Sequence, residues 1–303
     1  AAACAVYGSQ DGNGVIELTT KRGSRGKPHV TYTLKLTATH QPAGYDLLSG
    51  DDYTMMLKEE YFNPRQDDNA SDQNRIPEIN YLDETGGFSE WRQYRDNTDW
   101  RDAFTQTGLR QNHYVTIAGG GEKATFRISG GFDHETGTMI EQKLNRFSTR
   151  VALDYNVSQR IRVQTNFSLT YTKNNRNSDD LLAIALKKMP NMSIYEKDPI
   201  TGEDTDIYYN MLQSGPYIGS EVFKSDQRTY VNPVASAHLA KNEERNYDMN
   251  PELVMNFRLL GLDEDHWQLD YRGSVYMNIA NHYNDKFYPQ ELKSINWEDK
   301  VNT

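Results

Sequence analysis

The segment RIRVQTNFSLTYT, residues 160–172, constrains this chain more than any other. Ile161, Val163, Phe167, Leu169 and Tyr171 alternate with Arg160, Arg162, Gln164, Asn166 and Ser168. A period of two puts the apolar set on one face of a β-strand and the polar set on the other. The run is thirteen residues long, against a usual strand of about five or six. The same alternation recurs at 29–40, 112–119, 123–134, 145–157, 252–260 and 266–279, which gives seven strands. In the first of these, Val30, Tyr32, Leu34, Leu36 and Ala38 share a face, and Thr31, Thr33, Lys35 and Thr37 share the other.

The connections sharpen the reading. They run long (41–109), tight near 120, medium (135–143), tight near 158, long (174–246) and tight (261–265). Short and longer links alternate throughout, as in a transmembrane barrel with short periplasmic turns and longer external loops. VNPVASAHLA (231–240) is partly strand-like, but an extra spanning strand would break that parity, so it is assigned to the third external loop. Short helices are predicted inside the loops, over Leu47–Tyr61 with Ser49 or Asp51 as cap, and over Asp179–Met189 ahead of Pro190. On a barrel, Val30, Leu34, Val163, Phe167 and Leu269 are expected to face lipid. Lys35, Arg160, Arg162, Gln164 and Arg272 are expected to face a wet lumen, and Tyr32, Tyr155, Tyr171, Trp267 and Tyr271 to form aromatic girdles. A soluble β-sandwich with one polar face shows the same period and stays open as an alternative.

Composition agrees with a polar, aromatic-rich β chain. Hydrophobic residues are 36% of the total, yet there are 20 Tyr, 10 Phe and 4 Trp, too many for a disordered chain. A net charge of −10 argues against nucleic-acid binding, which needs clustered cations. One cysteine, Cys4, leaves no disulfide framework, and Ala1–Cys4 lacks the flanking regions of a signal peptide. No run approaches the ~18 apolar residues of a membrane helix.

Catalytic patterns are missing. There is no HExxH, GxSxG or phosphate loop, and the seven histidines are scattered, so neither an enzyme nor a cofactor is expected. Asp67, Asp68, Asn69 and Asp72, and Asp198 with Glu203, Asp204 and Asp206, supply the hard oxygens that Ca²⁺ takes, but without the EF-hand pattern they read as solvated loop acid. Trp91, Tyr94, Trp100, Tyr208, Tyr209 and Tyr217 are loop aromatics suited to stacking on a sugar or peptide, or to an interface with a lid.

The start of the chain, AVYGSQDGNGVIELTTKRG, is a glycine-punctuated turn leading into a β-branched run. With Tyr7, Gly8, Ser9, Gly12, Asn13 and Gly14 it resembles the end of the plug domain in SusC/RagA-type TonB-dependent outer-membrane transporters. Asn97-Thr98-Asp99-Trp100, the run from Gln111 to Gly131, Asn145 to Leu153, Met189-Pro190 and Asn232-Pro233-Val234-Ala235 are similar to the same family, in order. Gln10-Asp11 departs from it. The resemblance implies an all-β fold: part of a transmembrane antiparallel barrel preceded by the last plug strand. Residues 1–23 would be plug, 24–28 a hinge linker and 29–303 barrel. Family barrels close with about 22 strands, so the chain is expected to be a piece of a longer transporter. Gly14–Thr20 would pair with plug strands outside it. The implied activity is TonB-dependent import of oligosaccharides, or peptides, with a SusD-like lipoprotein, a TonB complex and outer-membrane lipid as partners. A passive porin or adhesin, or a soluble β-rich binding module, is the rival.

Overall fold

A computed structural model describes residues 21–62, 91–178, 180–209, 230–261 and 268–289. Within them one antiparallel sheet dominates: β1 (Gly26–Thr39), β2 (Gly108–Gly120), β3 (Ala124–Thr136), β4 (Lys143–Asn156) and β5 (Ile161–Asn175). It continues through β8 (Lys241–Leu260), β9 (Leu269–Tyr276) and β10 (Ile279–Phe287). The order is β1-β2-β3-β4-β5-β8-β10, with β9 also on β8. A separate hairpin joins β6 (Tyr195–Lys197) to β7 (Asp204–Tyr208). The helices, α1 (Gly50–Phe62), α2 (Trp100–Phe104), α3 (Leu181–Ala185) and α4 (Pro233–Leu239), all lie in the long connections, as does a 3₁₀ turn at Trp91–Tyr94.

β9 and β10 are one strand interrupted. Glu252 pairs Tyr276 and Met249 pairs Ile279 in a continuous register, so Pro251 lies opposite the gap. Proline has no N–H to give the ladder, although the Met277 N–H still reaches the Pro251 carbonyl at 3.1 Å. The sheet therefore has seven spanning strands, the number expected.

Two strands run well beyond expectation. β8 begins at Lys241 instead of 252, and the last strand runs to Phe287 instead of 279. Both additions carry polar residues on both faces, as in KNEERNYDMN, so no period-two signal marks them. β1 also starts inside the 24–28 stretch, where Gly26 pairs Gly120. The 231–240 segment holds helix α4, in keeping with its assignment to a loop. Ser49 caps α1: its hydroxyl accepts from the Asp52 N–H at 3.1 Å and donates to the Asp52 carboxylate at 2.7 Å.

Tight turns close one end of the sheet. Ser158 Oγ accepts the Arg160 and Ile161 N–H groups in the β4–β5 turn. Gly120, at φ +154°, could carry a Cβ only 2.3 Å from the Ala124 carbonyl oxygen, so glycine is required at the β2–β3 turn.

Buried apolar side chains are scarce in the sheet and abundant in the loops. Leu57, Tyr94, Trp100, Phe104, Met189 and Met192 belong to one buried cluster formed by the two long connections. The protein's core is thus an outer module sitting on the strand ends.

Candidate functional site

Cross-strand register sorts the sheet into two surfaces. The first has the row Val30, Ile117, Ile128, Val151, Phe167 and Pro251 across six strands. Toward the loops it is bounded by Phe132, Phe147, Tyr171 and Tyr247, where the two tyrosine rings lie 5.2 Å apart. Toward the tight turns it ends near Tyr155, Phe257 and Tyr271. Phe147 and Tyr155 are eight residues apart, about 26 Å of strand at ~3.3 Å per residue. A strand tilt of ~40° makes that about 20 Å of height between backbone positions, within the ~25 Å of a lipid-facing band. Val30, Tyr32, Leu34 and Leu36 on edge strand β1 are between 47% and 67% exposed, a contiguous apolar patch of a kind soluble monomers rarely show.

The second surface is polar and internally bonded. Asn112 donates to Asp133 at 2.7 Å, and Arg110 reaches the same oxygen at 3.3 Å. Asn166 donates to Glu252 at 2.6 Å. Asp154, nearly buried, gathers three donors on one oxygen: Gln164 at 2.6 Å, Arg22 at 3.1 Å and Arg162 at 3.3 Å. Arg22 reaches it because Gly23 lies against the β3 backbone, where a Cβ would fall 2.4 Å from the Phe126 carbonyl oxygen. Lys35 pairs in register with Asn112, and Arg162 and Arg272 both pair with Asn256, so these cations fall on this surface. Arg160 turns to the sheet end and donates to the Leu259 carbonyl at 3.0 Å.

In the outer module, residues singled out for stacking have other work. Trp100 is 3% exposed and its indole N–H donates to the Met189 carbonyl at 2.8 Å. Tyr94 and Tyr209 are buried edge to face, with their hydroxyls 3.1 Å apart. These three are corrected from contact residues to core, because burial leaves no ring face to offer. Trp91 remains partly exposed with Arg92 and Arg95 over its ring, and Tyr208 stacks on Tyr195 at 5.1 Å. Tyr217 and Trp267, the acidic residues 67–72, and Tyr7, Gly8, Ser9, Gly12, Asn13 and Gly14 lie outside the described residues.

The Asn97–Trp100 motif clamps the first long loop to the second, and the Asn232 motif ties the second loop to itself. Thr98 gives its N–H to the Pro190 carbonyl and its hydroxyl to the Met192 carbonyl, both at 2.7 Å. Asp99 caps α2 through the Asp102 N–H. Asn232 caps α4 and donates to the Ile194 and Tyr209 carbonyls at 2.8 and 3.0 Å. Sequence gave no hint of these partners, which lie about ninety residues away for Thr98.

Among the described residues no cluster of His, Cys, Asp or Glu is arranged for a metal. Asp198 spends its carboxylate on the Ile200 and Thr201 N–H groups, with the Thr201 bond foremost in holding it below its ordinary value, and Asp204 pairs with Lys197 at 2.7 Å.

A cavity of about 510 Å³ opens between the loops, with Asp46, Tyr53, Asp99, Arg101 and Lys188 in its lining. Lys188 was not foreseen. Its ammonium donates to the Tyr230 carbonyl, and burial pushes it down to about 7. Because the unfolded chain binds the extra proton between pH 7 and 10.5, the module should gain stability as pH rises through that window and be least stable below it. Lys188→Met is expected to flatten this slope and to stabilise the module at pH 6, with a ceiling of about 5 kcal/mol at ~1.4 kcal/mol per unit. Amide exchange in α2 and α3 reads it out, and an unchanged slope would refute the assignment.

A one-sided apolar belt with aromatic edges, a bonded polar back and loops gathered at one end define the wall of an outer-membrane β-barrel. The comparisons agree. The chain is 28% identical over 253 residues to the TonB-dependent receptor SusC of Bacteroides thetaiotaomicron, covering 81% of this chain and 22% of the relative. A TonB-dependent receptor of Formosa agariphila is 24% identical along 100% of this chain and 25% of its own. In fold, the RagAB peptide importer in its closed-closed state matches 95% of this chain and 32% of that chain, with a TM-score of 0.63 at 15% identity. No protein-family model matches. The chain thus resembles the SusC-type TonB-dependent receptors, and spans about a quarter of the length of these curated relatives. No described helix is long and apolar enough to cross a membrane.

Proposed function

We propose that this chain is the plug exit and first wall of a TonB-dependent importer that takes up a short oligomer, an oligosaccharide or a peptide, beneath a SusD-like lipoprotein lid. The observation that carries it is the two-faced wall: apolar toward lipid, and hydrogen-bonding toward an interior where Lys35, Arg162, Arg272, Asp133 and Asp154 meet plug or solute. Arg22 at Asp154 supports a plug exit seated against that wall. Residues 1–23 then belong to the moving plug, 24–28 to the junction, and Trp91 and Tyr208 remain candidates for solute or lid contact. The chain acts by transport and performs no covalent chemistry.

Uptake of labelled oligosaccharide and oligopeptide mixtures by cells with and without the complete gene tests this reading. One mixture should enter only with the gene present and the TonB system energised. Entry that persists without energy would favour a passive porin. Recovery of the complete protein as a soluble monomer would favour the binding module.

A further inference from the structure

We propose that the apolar side of the wall carries a binding site for a phosphate-bearing lipid headgroup, built on Lys173 and Arg245. The aromatic row Phe132, Phe147, Tyr171 and Tyr247 marks where the hydrocarbon ends. The next row outward on the same face is His134, Asn145, Lys173 and Arg245. That is the height of the headgroups. Lys173 and Arg245 are directly cross-strand, an arrangement that repels.

Glu243 holds them together. It takes the Lys173 ammonium at 2.8 Å and the Arg245 Nε–H at 2.6 Å, and is itself almost covered. A carboxylate cannot absorb all the donors of an ammonium and a guanidinium, so N–H groups of both cations remain for a second anion. Both side chains are about two-fifths exposed, Lys143 stands in the following row as a third cation paired with Glu141 at 3.3 Å, and Arg245 rests over the Tyr283 ring at 5.8 Å. Among the described residues the opposite end of the same face has no such feature. Tyr155, Val157, Ile161, Phe257, Leu259 and Tyr271 there are aromatic or aliphatic. A cation pair confined to one leaflet fits phosphate carried by the lipids of that leaflet.

The inference rests on the long loops being external. Surface labelling of a cysteine replacing Ile200, 92% exposed in the β6–β7 turn, reads that orientation independently in intact cells. The complete receptor, stripped of lipid in detergent, is then titrated with diphosphorylated lipid A, with its dephosphorylated form, and with inorganic phosphate. Binding should need the lipid phosphates and weaken with salt. The triple variant Lys173→Gln, Arg245→Gln and Glu243→Gln strands no charge and should bind about 25-fold more weakly, at roughly fivefold per cation lost. Lys143→Gln alone should lose about fivefold by the same rule and leaves the Glu243 contacts in place. Equal affinity for the two lipid forms, or for wild type and triple variant, overturns the site. Equal occupancy by inorganic phosphate at the same concentration overturns the lipid as its source.

Discussion

Trp100→Ala is expected to destabilise the outer module by about 3–5 kcal/mol, the range for removing a large buried aromatic. The indole is buried among Phe104, Met189 and neighbours and also ties the second loop through the Met189 carbonyl. Its loss leaves a cavity and an unpaired carbonyl at one point. The damage should stay in the module, because the sheet is held by its own ladder of backbone bonds. Amide exchange would therefore accelerate in α2, α3 and residues 189–194 while β3, β4 and β5 remain protected. Uniform acceleration across module and sheet would mean the two are one cooperative unit.

Ile128→Arg is the counterpart in the wall. Ile128 sits in the middle row of the belt, between Ile117 and Val151, and an arginine at the midplane of a barrel's lipid face costs about 2–4 kcal/mol. Thr31→Arg, next to Val30 of the same row, projects from an exposed position on the polar face and serves as the comparison. Folding of both variants of the complete receptor into bilayers, followed by denaturant titration, should show a penalty for Ile128→Arg well above that for Thr31→Arg. If the two cost the same, the apolar surface does not face lipid.

The strands were legible where the two sides of the wall face different solvents. Val163 and Phe167 alternate with Arg162 and Gln164 because lipid lies on one side and water on the other. Above the belt that contrast vanishes, so Lys241–Asn250 and Asn281–Lys286 look like loop although their backbones continue the sheet. The turns were legible through glycine and serine chemistry. The roles of Trp100 and Tyr94 were not, because an irregular loop has no periodicity and their partners come from residues 189 and 209. Asp154 escaped notice for a related reason: its donors sit at 22, 162 and 164, and only register brings them together.

The module binds the connection after β1 to the connection after β5, yet β2, β3, β4 and β5 stand between those points along the sheet. From β2 to β5 is three strand spacings, about 14 Å at ~4.8 Å each. A rigid chord fastened across an arc fixes its radius. Clamped at Thr98 and Trp100, this stretch of wall is held at a set bend by its own loops, before any further strand has to meet it.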